Sequence, residues 1–102
     1  MARFDVCETE IRERALVLIV QSDFLDVLPT VVVVPLRLEA KWRGERYSRL
    51  NPIINVKGED YVMTTNDIVS LPRSLVGALV ANVEDDHHDA ITTALDTLLT
   101  GF

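Results

Sequence analysis

Asp85-Asp86-His87-His88-Asp89 places two imidazoles and three carboxylates within five residues, and both groups are zinc-ligand types. The spacing argues against a metal site. On a helix only residues three or four apart share a face, so adjacent His87 and His88 point apart, and the chain has no third histidine to complete a set. The segment therefore predicts the solvated start of a helix. Asp85 or Asp86 would cap exposed N–H groups there, favoured by the positive end of the helix dipole. Cys7 is the only cysteine. A single thiol excludes an internal disulfide and a thiolate metal cage; no sequence-local base stands beside it, and the histidines lie in no triad signature. The four glycines, at 44, 58, 77 and 101, are scattered and form no phosphate-cradling loop. No catalytic set, metal or cofactor is expected, so the residues favour a binding protein over an enzyme.

Trp42 and Tyr47 lie among Lys41, Arg43, Arg46 and Arg49, a mixture of rings and cations that suits stacking and phosphate contacts. The plainer expectation is a barrel-edge loop held by one buried tryptophan. The formal net charge of −6 disfavours direct nucleic-acid binding, which needs clustered Lys and Arg rather than an acid excess. The local gathering of Arg12, Arg14, Arg37, Lys41, Arg43, Arg46 and Arg49 suits an acidic peptide, although Glu39 and Glu45 among them also fit a solvated face of mixed charge.

The elements that must position these residues are short. Phe4 and Val6 alternate with polar neighbours as a half-buried strand would, and residues 8–14 follow as a polar loop. Residues 15–20 form a continuous apolar run rich in branched side chains, which predicts a central strand buried on both faces. Val31 to Val34 repeat that signature, with Pro29 and Pro35 expected at the strand margins. Residues 53–56 and 61–63 flank Lys57-Gly58-Glu59-Asp60, a hairpin turned at Gly58. Residues 66–69 suggest a short strand ending before Pro72, and 75–83 fits either a strand or a helical turn. Ile91, Ala94, Leu95, Leu98 and Leu99 fall on one helical stripe, opposite Asp89, Thr93, Asp96 and Thr100, with Gly101 just past the end.

At 102 residues and 48% apolar composition, the chain predicts one globular domain over residues 1–102. It is expected to be mainly β with a C-terminal α-helix: a small SH3-like barrel of about five strands closed by that helix. The start lacks a signal-peptide layout, and the longest apolar runs, 15–20 and 31–36, are far below a membrane span. A cytoplasmic protein with no membrane partner is expected.

Gln21-Ser22-Asp23 after the first buried strand begins a series of matches, followed by Val33-Val34-Pro35-Leu36 and by Pro52 ahead of the hairpin. Met63-Thr64-Thr65 with Asp67, then Ser70-Leu71-Pro72 with Ser74, Val76 and Gly77, continue it in order along nearly the whole chain. In this series the chain resembles the CcdB family of toxins from bacterial toxin–antitoxin pairs, which poison DNA gyrase. The resemblance implies a CcdB/MazF-type barrel and a homodimer with its terminal helices side by side. It also implies a CcdA-like antitoxin, with which the toxin co-represses its operon, touching operator DNA only through the antitoxin. The implied activity is to bind the DNA gyrase A subunit and trap the gyrase–DNA cleavage complex. A MazF-like ribonuclease, or a CcdB fold with a lost or altered target, are the alternatives.

Carried over to this sequence, the resemblance implies a gyrase-binding surface of Phe24, Leu25, Asp96, Leu99, Thr100, Gly101 and Phe102. The family has tryptophan where Thr100 stands and asparagine where Asp96 stands. Antitoxin contact is implied for the loops at 8–14 and about 41–45, with Arg12, Arg14 and Arg43 as the cations that meet an acidic tail.

Overall fold

The computed structural model describes residues 1–10 and 15–101. In chain order they form strands β1 (Asp5–Thr9), β2 (Ala15–Ile19), β3 (Thr30–Leu38), β4 (Ile53–Val56), β5 (Glu59–Met63), β6 (Val69–Pro72) and β7 (Val76–Asn82), then helix α1 (Glu84–Thr100). The strands make one curled antiparallel sheet in the order β4-β5-β3-β2-β1-β7, with β6 added beside β3. Among the described residues seven strands stand where about five were expected, because 76–82 forms β7 and the segment before Pro72 is a 3₁₀ turn at Thr65–Asp67 followed by β6. Glu8 and Thr9 belong to β1 rather than to the loop predicted there, paired with Leu16 and Ala15.

Pro35 lies inside β3 and not at its margin. One edge of β3 pairs with β2 from Val33 to Leu36; the other pairs with β6 over Thr30 to Val33 and with β5 over Leu36 to Leu38. Val32 turns its carbonyl toward Val20 on the β2 side, so by alternation Pro35 faces the opposite edge. There it falls in the gap between the two short partners, where no ladder bond needs its missing N–H. Its carbonyl takes the Thr64 N–H at 3.1 Å and the Thr64 hydroxyl at 2.8 Å.

Side-chain alternation gives the sheet two apolar faces. Leu16, Leu18, Val34 and Leu36 point into the main core with Phe4, Val6, Ile54, Val56 and Met63, while Val17, Ile19, Val31 and Val33 meet Cys7 and Leu71 on the other face. The central β2 is thus buried on both sides, as its unbroken run predicts. Ile91 and Ala94 of α1 are fully buried in the main core, Leu95 packs at its edge, and Leu99 is 72% exposed. The apolar stripe therefore leaves the sheet before the helix ends.

The helix start differs from expectation. Val83 is the N-cap residue and no side chain from Asp85 or Asp86 caps it; the Asn82 side chain accepts the Glu84 N–H at 3.1 Å instead. Glu84, Asp85 and Asp86 occupy the first turn, where their charge complements the helix dipole. The β4–β5 turn is tighter than predicted: only Lys57 and Gly58 are unpaired, with φ of 51° and 86°, the left-handed pair of a type I′ hairpin.

Candidate functional site

Three regions carry the residues singled out in the sequence, and the structure holds them on separate elements. The first is the connection between β2 and β3. The side chains of Gln21, Ser22 and Asp23 are all used to fix it. Gln21 Oε1 accepts the Val32 N–H at 3.1 Å and its Nε2 donates to the carbonyls of Leu25 at 3.2 Å and Thr30 at 3.4 Å. Ser22 Oγ accepts the Phe24 N–H at 3.2 Å and caps a 3₁₀ turn at Asp23–Leu25, while Asp23 Oδ1 accepts the Arg3 N–H at 2.8 Å.

With these polar groups bonded to nearby backbone, the apolar side chains are left facing out. Phe24 is 95% exposed and Leu25 is exposed beside it. Sequence reasoning missed Val27, 85% exposed, and Leu28, which continue the same surface. Their signal was present: four large apolar residues in five positions, interrupted only by Asp26, in a stretch too short and too turn-rich to be a strand.

The second region is the last turn of α1, which gathers Asp96, Leu99, Thr100 and Gly101. Gly101 is the predicted left-handed terminus, φ 82°, and its N–H reaches the carbonyls of Asp96 at 3.1 Å and Thr97 at 3.2 Å. Thr100 Oγ1 donates back to the Asp96 carbonyl at 2.7 Å, so its hydroxyl is spent within the helix. Leu99 and the Asp96 carboxylate remain outward. Phe102 lies outside the described residues.

The third is the loop between β3 and β4. Trp42 is half-buried rather than buried, its ring against Gly44, and its Nε1 is enclosed with no hydrogen-bond partner among the described residues. Arg43 is exposed and folds one guanidinium nitrogen onto the carbonyls of Ala40 at 3.3 Å and Trp42 at 3.1 Å. Buried Asn51 anchors the loop: it donates to the Met63 carbonyl at 3.1 Å and accepts the Tyr47 N–H at 3.2 Å. The Tyr47 hydroxyl donates to Glu45 at 2.5 Å, and that bond holds its phenol above the usual value. Arg12 and Arg14 lie outside the described residues, so Arg43 is the one predicted antitoxin-binding cation whose place is seen.

His87 and His88 do point apart. His87 turns to Asn55 of β4, and His88 sits 3.7 Å from Glu84 and packs edge-on against Phe4, 5.6 Å between ring centres. On the second face of the sheet a cleft of about 270 Å³ is lined mainly by apolar residues, including Val17, Pro35, Val69 and Leu71, with Thr9 and Arg37 as its polar members.

A family model described as "CcdB protein" matches residues 3–101. Among solved structures, an endoribonuclease from Mycobacterial species is similar over 97% of this chain and 90% of its own, with a TM-score of 0.79 and 22% identity. An endoribonuclease in complex with its cognate antitoxin, also from Mycobacterial species, is similar over 97% of this chain and 94% of its own, with a TM-score of 0.78 and 21% identity. The Mycobacterium tuberculosis toxin MazF-mt6 follows at TM-score 0.73 and 15% identity, over 91% of this chain and 93% of that one. These likenesses establish a fold held in common.

Proposed function

This chain belongs to the CcdB family, and from that premise we propose that it is the toxin of a toxin–antitoxin pair. In this reading it works in the cytoplasm as a homodimer that captures the DNA gyrase A subunit, and an antitoxin encoded with it neutralises it and joins it in repressing their operon. The observation that supports a target-binding role is the apolar tip. A phenylalanine held 95% in water, beside Leu25, Val27 and Leu28, is a surface awaiting a partner. No catalytic chemistry is asked of it, since a hydrophobic finger acts by filling a recess on another protein.

Induced expression in a bacterial host should arrest growth and accumulate gyrase-linked DNA breaks, and Phe24→Ala should relieve both. Normal growth with intact DNA would count against a gyrase target. Purified protein that leaves gyrase supercoiling untouched while binding its antitoxin would instead mark a changed target, the reading that Thr100 in place of tryptophan favours.

Ribonuclease activity is the competing reading, supported by endoribonucleases among the similar folds. The cleft whose polar members are Thr9 and Arg37 is where it would reside, since it holds a basic residue among its lining. Transcripts cut at defined sites on induction would favour this reading over gyrase capture.

A further inference from the structure

We infer that Arg73 is a positioning residue for target capture, setting the shape of the apolar tip from outside it; the inference rests on the proposed role of that tip. Arg73 opens a 3₁₀ turn at Arg73–Leu75, directly after β6. Its backbone N–H donates to the Pro29 carbonyl at 3.0 Å, which seats the residue beside the end of the β2–β3 connection. From there the guanidinium forks over that connection: Nε donates to the Leu28 carbonyl and Nη2 to the Leu25 carbonyl at 3.0 Å.

The Leu25 carbonyl is the point on which the tip is held. It accepts the Leu28 N–H at 3.1 Å within the turn, Gln21 Nε2 at 3.2 Å from the β2 side, and Arg73 Nη2 from the β6 side. Charge-assisted bonds from a planar fork are the stronger and more directional kind, and a lysine ammonium, with its donors on one nitrogen of a flexible stem, does not fix two carbonyls in that geometry. Without these anchors the turn would be free to fold Phe24, Val27 and Leu28 onto the sheet, since exposed apolar surface is unfavourable. Held at its carbonyls, the tip keeps its side chains outward and loses little conformational freedom when a partner arrives. Gln21 belongs to the Gln-Ser-Asp series already noted; Arg73 lies in another element and makes no exposed contact of its own with a partner in this reading.

The test uses the full chain and purified gyrase A subunit. Arg73→Ala should weaken binding about tenfold and speed amide exchange over residues 24–28 in the free protein, with the urea midpoint close to wild type. In a Phe24→Ala background the same substitution should cost little further affinity, because Arg73 acts through where Phe24 stands. Arg73→Lys should fall between. Gln21→Glu, which keeps the acceptor for Val32 and removes the donor to Leu25, repeats the test if Arg73→Ala folds poorly. Unchanged affinity, or losses from Arg73→Ala and Phe24→Ala that simply add, would overturn the inference. If wild type does not bind gyrase A, the proposed target falls, and amide exchange alone decides the bracing: rates over 24–28 unaltered by Arg73→Ala overturn it.

Discussion

His87 Nε2 accepts a hydrogen bond from the backbone N–H of Asn55 at 3.1 Å, joining the first turns of α1 to the edge strand of the sheet. Val56 faces Glu59 across a two-residue turn, so that pair exchanges the ladder bonds and the backbone groups of Asn55 point off the edge. An imidazole therefore covers a donor that would otherwise be open to water or to another chain. His87→Ala should destabilise the fold by about 1 kcal/mol, read as a lower urea midpoint, and should speed exchange of the Asn55 amide. A midpoint and an amide rate equal to wild type would show that the bond contributes nothing.

The turn at Lys57 and Gly58 offers a pair of opposite effects. Both residues have positive φ, and a Cβ added at Gly58 would meet nothing within 4 Å, so the penalty for substitution there is conformational and not steric. Gly58→Ala should cost about 1 kcal/mol. Lys57→Asn should stabilise by a few tenths, because asparagine tolerates the left-handed region better than lysine. Thermal unfolding of the two variants should move in opposite directions.

How much of this was legible in the sequence depended on where each partner lay. The double burial of β2, the hairpin and the α1 stripe are written in adjacent residues, and periodicity alone reveals them. Pro35 misled because a rule about strand margins presumes continuous neighbours, whereas β3 changes partner beside that residue. His87 reads as part of a solvated helix start because its partner is 32 positions away. The family resemblance pointed to Phe24 and Leu25 of the tip, yet what holds it comes from Arg73, 48 residues from Leu25, and no local pattern marks such a contact. The cap at Asn82 instead of Asp85 or Asp86 shows the same limit at short range, as several nearby side chains could have filled that place.

Cys7 should be nearly inert in the folded protein. Burial, with the Asp5 carboxylate adding to it, pushes its thiol above the ordinary value, and the thiolate is the reactive form. Iodoacetamide at pH 8 should label it far more slowly than in urea. A folded pKa above the unfolded one means that both states keep the proton below about pH 8.5, and only the unfolded chain loses it as pH rises further. Stability should therefore decline above that pH, and less so in Cys7→Ala than in wild type. Equal slopes in the two would rule out the thiol as the cause.

Asp96 carries a negative charge near the end of α1, where the helix dipole is also negative and the last turn holds no basic residue. Asp96→Asn should raise stability by about 0.3–1 kcal/mol, with the gain shrinking in high salt. A midpoint that falls instead would mean that the carboxylate has a favourable partner in the assembled protein.

Thr100 decides how far the last turn of α1 can serve as a second contact beside Phe24. Its hydroxyl is bound to the Asp96 carbonyl, so it presents a partner with little more than a methyl group, where the family places an indole. The position is exposed, and a larger side chain meets no core there. Thr100→Trp should therefore leave folding unchanged and supply a broad stacking face of the kind that anchors interfaces, worth about 2 kcal/mol or more. Measured against purified gyrase A, that is a gain of at least about thirtyfold in affinity, lost again when Phe24→Ala is added if both surfaces grip one target. A tryptophan that adds no affinity would mean that this helix end faces something other than gyrase, and the apolar tip would then have to account for target capture alone.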